Sequence, residues 1–166
     1  MQAIVDWYQA TLGSHIPKEI FIFFVSMVPI VEMRGGIIIA RLLDIPILQA
    51  AIICFAGNLV PIPFAILFLK KIFHWMRDHN IFTGLITKLE NKAKSQSARA
   101  QKGIFAFLLL FVGIPLPGTG GWTGSLIASL FDYDFKKSMI AIYCGILMAL
   151  IIMLILSYGV LGFFLK

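Results

Sequence analysis

Met27-Val28-Pro29-Ile30-Val31-Glu32-Met33-Arg34-Gly35-Gly36 interrupts an apolar run that extends from Glu19 to Leu43. Proline withholds a backbone donor and clashes with the preceding turn, and glycine frees the backbone, so a helix entering this stretch should break within it. A second apolar run, Ile104–Phe131, carries the same kind of interruption at Gly113-Ile114-Pro115-Leu116-Pro117-Gly118-Thr119-Gly120-Gly121. Two further apolar runs, Ile45–Leu69 and Ser138–Leu165, complete a set of four. Each is as long as the roughly 20 residues needed to cross a hydrocarbon core. Backbone that leaves the helix at membrane depth survives only when protein buries it or it lines a wet cavity. The two interrupted runs are therefore expected as re-entrant hairpins and the other two as crossings.

Composition points the same way. The chain is 60% hydrophobic and 13% charged, with a mean hydropathy of +0.93, against about 45–50% apolar and about 25% charged in soluble domains. The expected fold is all-α and integral to the membrane, one membrane domain over residues 1–166. Its parts are an interfacial helix at 1–18, a re-entrant hairpin at 19–44, a crossing at 45–69, a basic segment at 70–103, a second hairpin at 104–132 and a second crossing at 138–165. The start of the chain does not read as a cleavable signal, because Asp6 stands where basic residues belong and Trp7, Tyr8, Leu12 and Ile16 are scattered along a polar stretch.

Eight of the 14 Lys and Arg residues lie between Lys70 and Lys102, opposed there only by Asp78 and Glu90. By the positive-inside rule this segment is cytoplasmic. Phe82, Leu85, Ile86 and Leu89 follow helical spacing while Lys88, Lys92 and Arg99 give a basic face, the pattern of a helix lying on the inner leaflet. The net charge of +6 thus reports topology and contact with anionic lipid, and nucleic acid is not an expected partner. Cys54 and Cys144 fall inside apolar runs as packing residues, and the three histidines have no metal-ligand spacing. No metal or cofactor is implied, and no catalytic motif supports an enzyme.

The halves resemble each other. A shift of 88 residues aligns Gly36 with Gly124, Ile39 with Ile127, Ala40 with Ala128, Leu42 with Leu130, Asp44 with Asp132, Ile52 with Ile140 and Gly57 with Gly145, which is seven identities over 22 ungapped positions. Each half reads as one hairpin and one crossing. One crossing per half inverts the second half relative to the first, the inverted-repeat logic of many secondary transporters. A plain four-span arrangement keeps the basic segment inside as well. It differs by placing Lys166 inside, whereas the hairpin arrangement places it outside.

Val28–Gly36, the Gly57-Asn58-x-x-Pro61-x-Pro63 run and Pro115–Gly124 resemble the small multidrug export protein family over nearly the whole chain, and more distantly the DedA/VTT membrane proteins. The resemblance implies two re-entrant loops packed on transmembrane helices and a transport role in the cell membrane. In DedA proteins an acidic residue follows the first hairpin's proline closely, as Glu32 follows Pro29. Their second hairpin carries arginines, and this chain has none after Arg99.

An ionisable group inside a bilayer is a functional candidate by default. Glu32 and Arg34 lie at the first break, with Arg41 about two turns on. A static ion pair that pins the hairpin competes with a role in coupling or substrate binding. Desolvation and an adjacent cation act on a carboxylate's proton affinity in opposite directions, which makes Glu32 the candidate proton site. Arg34 offers a fork for an anion, and a half-helix beginning near Gly35 and another near Trp122 would aim N–H groups at it. Thr119 and Thr123 supply hydroxyls. Asn58 is polar at membrane depth, as interhelical glue or substrate contact. Asp44 and Asp132 read as helix caps. The expected substrates are a lipid-linked phosphate or an amphipathic solute moved with protons. An uncoupled lipid scramblase and a structural or assembly protein are the alternatives, and so small a chain suits a homodimer.

Overall fold

The computed structural model describes residues 2–13, 15–79, 84 and 98–160. The expected amphipathic helix around Phe82–Leu89, the side chain of Arg99 and the C-terminal Lys166 lie outside the described residues. The elements are α1 (Gln2–Thr11), α2 (Lys18–Met27), α3 (Glu32–Leu42), α4 (Ile47–Leu59), α5 (Pro61–Asp78), α6 (Ala98–Gly113), α7 (Gly121–Leu130) and α8 (Phe135–Leu154), which runs on into the wider turns of a π-helix at Ile155–Val160. No strand occurs among the described residues. Two helical stretches are long and apolar enough to cross a membrane, Ile47–Met76 and Phe135–Gly159. The first is α4 and α5 joined through Val60, whose φ of −55° and ψ of −47° are helical, so it continues beyond Leu69.

Both interrupted runs fold as helix, break, helix. Pro29 lies in the first break and Pro115 and Pro117 in the second, where a missing donor costs least. α3 begins at Glu32, three residues ahead of Gly35, so Gly35 and Gly36 lie inside a helix. For Gly36 the use there is close packing. A β-carbon on Gly36 would strike the Ser26 hydroxyl of α2, and one on Gly57 of α4 would strike the backbone carbonyl of Phe23.

The chain forms two compact units. The first comprises Met1–Pro61 and Ile146–Lys166, the second Ile62–Gly145. In the first, α2, α3 and α4 pack on one another, and α1 and the π-helical turn pack on α3. Ile22, Met33, Ile37, Ile39, Ala40 and Cys54 are wholly buried there. In the second, α6 packs on α7, and Leu108, Ala128 and Ala141 form a cluster flanked by Ile104, Phe105, Ile127 and Tyr133.

Internally the two units repeat the same devices. In the second, a β-carbon on Gly145 would lie 2.8 Å from the Leu109 carbonyl and one on Gly124 would lie 2.6 Å from a methyl of Val112. Phe23 and Ser26 are thus matched by Leu109 and Val112, 86 residues on, as Pro29 is matched by Pro115. α3 and α7 end alike. Asp44 and Asp132 adopt left-handed φ of 53° and 50°. Ile45 N–H donates to Ala40 and Asp44 N–H to Arg41, while Tyr133 N–H donates to Ala128 and Asp132 N–H to Ser129. This is the Schellman closure, which satisfies the last helical carbonyls, and aspartate tolerates the left-handed turn better than most residues. The expected capping role of both aspartates therefore takes the form of a helix stop.

Each closure is tied down by a side chain from a distant helix. The Tyr158 hydroxyl donates to the Ile45 carbonyl at 2.8 Å. In the second unit Lys70 Nζ donates to the Tyr133 carbonyl at 2.6 Å and to Asp132 at 2.9 Å. Lys70 and Tyr158 are themselves 88 residues apart. The far end of each of the two long apolar helices thus packs in the unit that holds the other half's helical break.

Candidate functional site at the first hairpin

Glu32 opens α3. It is 6% exposed and has a left-handed φ of 50°, a backbone state that a non-glycine residue holds only when its surroundings impose it. Two residues earlier Ile30 also has a positive φ, 77°, and is 98% exposed. For a β-branched residue that is a true outlier. The break is therefore a strained turn that buries a carboxylate and turns an isoleucine outward. Glu32 acts electrostatically on Arg34, which is half-buried on the same helix.

Behind the hairpin, α4 presents Cys54, Gly57 and Asn58. Cys54 is buried against Ser26, its hydrogen-bonding neighbour. Asn58 is 2% exposed, and its Oδ1 has no hydrogen-bond partner among the described residues. A buried amide oxygen left unmatched costs about 1–3 kcal/mol. A hydrogen-bond donor brought by a ligand would recover it.

The other expected site residues divide. Arg41 is at the far end of α3 from Glu32, paired with Asp44 at 3.3 Å and lying 5.7 Å from the Tyr158 ring centre, so it belongs to the helix stop. In the second unit Thr119 donates to the Ile114 and Leu116 carbonyls, both at 2.9 Å, and holds the turn around Gly118, whose φ is +80°. Gly120 is extended and Gly121 starts α7, and Thr123 is half-buried on that helix. Pro29, Pro115, Pro117 and Gly118 lie in the two breaks. Reading the sequence missed Ser26, Tyr158 and Lys18, the last donating to the Leu43 carbonyl at 3.1 Å. Ser26 could have been flagged as a lone hydroxyl in an apolar run.

Helices throughout, two of them able to cross a bilayer, and a carboxylate buried at a helix break define a small helical membrane protein. The family model described as "Putative small multi-drug export protein" matches residues 32–152. The chain belongs to that family. No curated protein and no solved structure gives a significant match.

Proposed function

We propose that this chain is a multi-pass exporter of the cell membrane that moves an amphipathic solute or a lipid-linked phosphate in exchange for protons. The observation that carries the reading is Glu32, a carboxylate buried at the strained break of a hairpin in a membrane protein. In this reading Glu32 carries the proton, Arg34 meets the anionic part of the substrate, and the Asn58 amide oxygen accepts a hydrogen bond from it. Both hairpins are re-entrant, and with one crossing after each the halves have opposite orientations in the bilayer. The repeated glycine contacts and helix stops support two equivalent halves. The family's description supports export.

Transport by purified protein in vesicles tests it. Glu32→Gln keeps the side chain's shape but cannot ionise, so it should remove the pH dependence and most of the rate. Arg34→Lys should weaken apparent affinity, because an ammonium cannot reproduce the guanidinium fork. Unaltered, pH-independent flux in Glu32→Gln would instead mark an uncoupled scramblase. A Glu32→Gln/Arg34→Gln double variant that is stable and transports with normal pH dependence would show the two residues to be scaffold.

A further inference from the structure

The end of the first unit remote from the break is where α2 starts and α3 stops, with α1 packed on α3. An open cavity of about 490 Å³ lies there, lined by Tyr8, Gln9, Pro17, Lys18, Glu19 and Leu43 among others. That is within the range of small-molecule sites, about 300–1,000 Å³. Its walls are fixed. Lys18 Nζ is held on the Leu43 carbonyl at 3.1 Å, leaving further N–H donors of its ammonium to point elsewhere. The Tyr8 ring stacks on Phe21 at 4.4 Å and its hydroxyl donates to Ile16 at 2.6 Å, so Tyr8 contributes a rigid apolar surface. Burial, and after it the Glu19 carboxylate, push the Tyr8 phenol above its ordinary range, which places the Glu19 charge beside that wall. Trp7, next to Tyr8, is 54% exposed, and exposed tryptophans of membrane proteins favour the head-group layer.

We propose that this cavity holds the head group of a membrane phospholipid bearing a phosphate and a primary ammonium, the phosphate against Lys18 and the ammonium against Glu19. The site rests on a different part of the chain from the export site and stands or falls separately. A purely anionic head group would set its charge against Glu19. A quaternary head group has no N–H to donate to that carboxylate. Only a head group with both a phosphate and a primary ammonium satisfies both walls, and Gln9 can bond to either part.

Native mass spectrometry of the delipidated full chain, offered phosphatidylethanolamine, phosphatidylcholine or phosphatidylglycerol, tests this. Phosphatidylethanolamine should be retained about tenfold over the other two, the scale of one charge-assisted hydrogen bond. Glu19→Gln should abolish the preference over phosphatidylcholine without changing the melting temperature, and Lys18→Gln should weaken all three. The Lys18 variant also loses an internal contact, so Glu19→Gln decides. Equal retention of the three lipids by the parent protein, or a preference that survives Glu19→Gln, would overturn the proposal. Soluble glycerophosphoethanolamine binding as tightly as the lipid would overturn the membrane as its source.

Discussion

Replacing Gly145 and Gly124 by alanine separates two kinds of close approach made by the same residue of α6. On Gly145 the new β-carbon would sit 2.8 Å from the Leu109 carbonyl oxygen and 2.8 Å from the Val112 β-carbon. Ordinary contact begins near 3.4 Å, so α6 and α8 must part by about half an ångström, an overpacking cost of about 1–3 kcal/mol. Alanine returns about 1 kcal/mol of helix propensity, leaving a net loss of about 0–2 kcal/mol. On Gly124 the first obstacle is a methyl of Val112 at 2.6 Å, followed by Ile142 at 3.4 Å. Valine is stiff at χ1 in a helix and cannot swing that methyl aside, so the single variant should lose about as much. Trimming Val112 to alanine removes both its methyls, the one 2.6 Å from the Gly124 position and the one 3.1 Å from the Gly145 position, but leaves the Leu109 carbonyl and the position-112 β-carbon, each 2.8 Å from the Gly145 position, in place. Val112→Ala should therefore rescue Gly124→Ala, with a favourable coupling of about 1–2 kcal/mol, and help Gly145→Ala distinctly less, because its two tightest contacts remain. Unfolding of all five variants in one detergent, followed by far-UV circular dichroism, measures both cycles. Equal rescue of the two alanines, or rescue of neither, would refute the packing described for this unit.

Tyr158→Phe deletes the hydrogen bond to the Ile45 carbonyl and should cost about 1 kcal/mol in the same unfolding assay. Asp44→Gly exchanges an exposed ion pair, worth little, for a residue at ease at positive φ, and stability should change by less than about 0.5 kcal/mol. Asp132→Gly loses the 2.9 Å bond from Lys70 as well and should be the less stable of the two. Gly118→Ala meets no atom within 4 Å, so its penalty is the left-handed backbone alone, about 1–2 kcal/mol, and it should appear in a thermal melt without loss of insertion. Reporter fusions at Lys166 and in the basic segment should read outside and inside respectively, and an inside reading from both would remove the two-hairpin arrangement.

The breaks, the membrane setting and the 88-residue likeness were legible because proline, chain-wide hydropathy and repeated glycines act locally or by composition. The start of α3 was not. Gly35 and Gly36 read as breakers, yet both lie within α3 and Gly36 serves contact with Ser26, which only the position of α2 reveals. Arg41 reads as a neighbour of Glu32 from proximity in sequence, although nine residues at 1.5 Å each put them about 13.5 Å apart along the helix. The ties from Lys70 and Tyr158 left no trace in any local pattern, since each joins a side chain to a carbonyl more than sixty residues away.

Those ties bear on how the chain is made. The carbonyl of Ile45, beside the stop of α3, meets a tyrosine 113 residues further along the chain, so this hydrogen bond can form only after α8 has been made. A product ending before Tyr158 would lack both that tie and part of the π-helical turn that packs on α3.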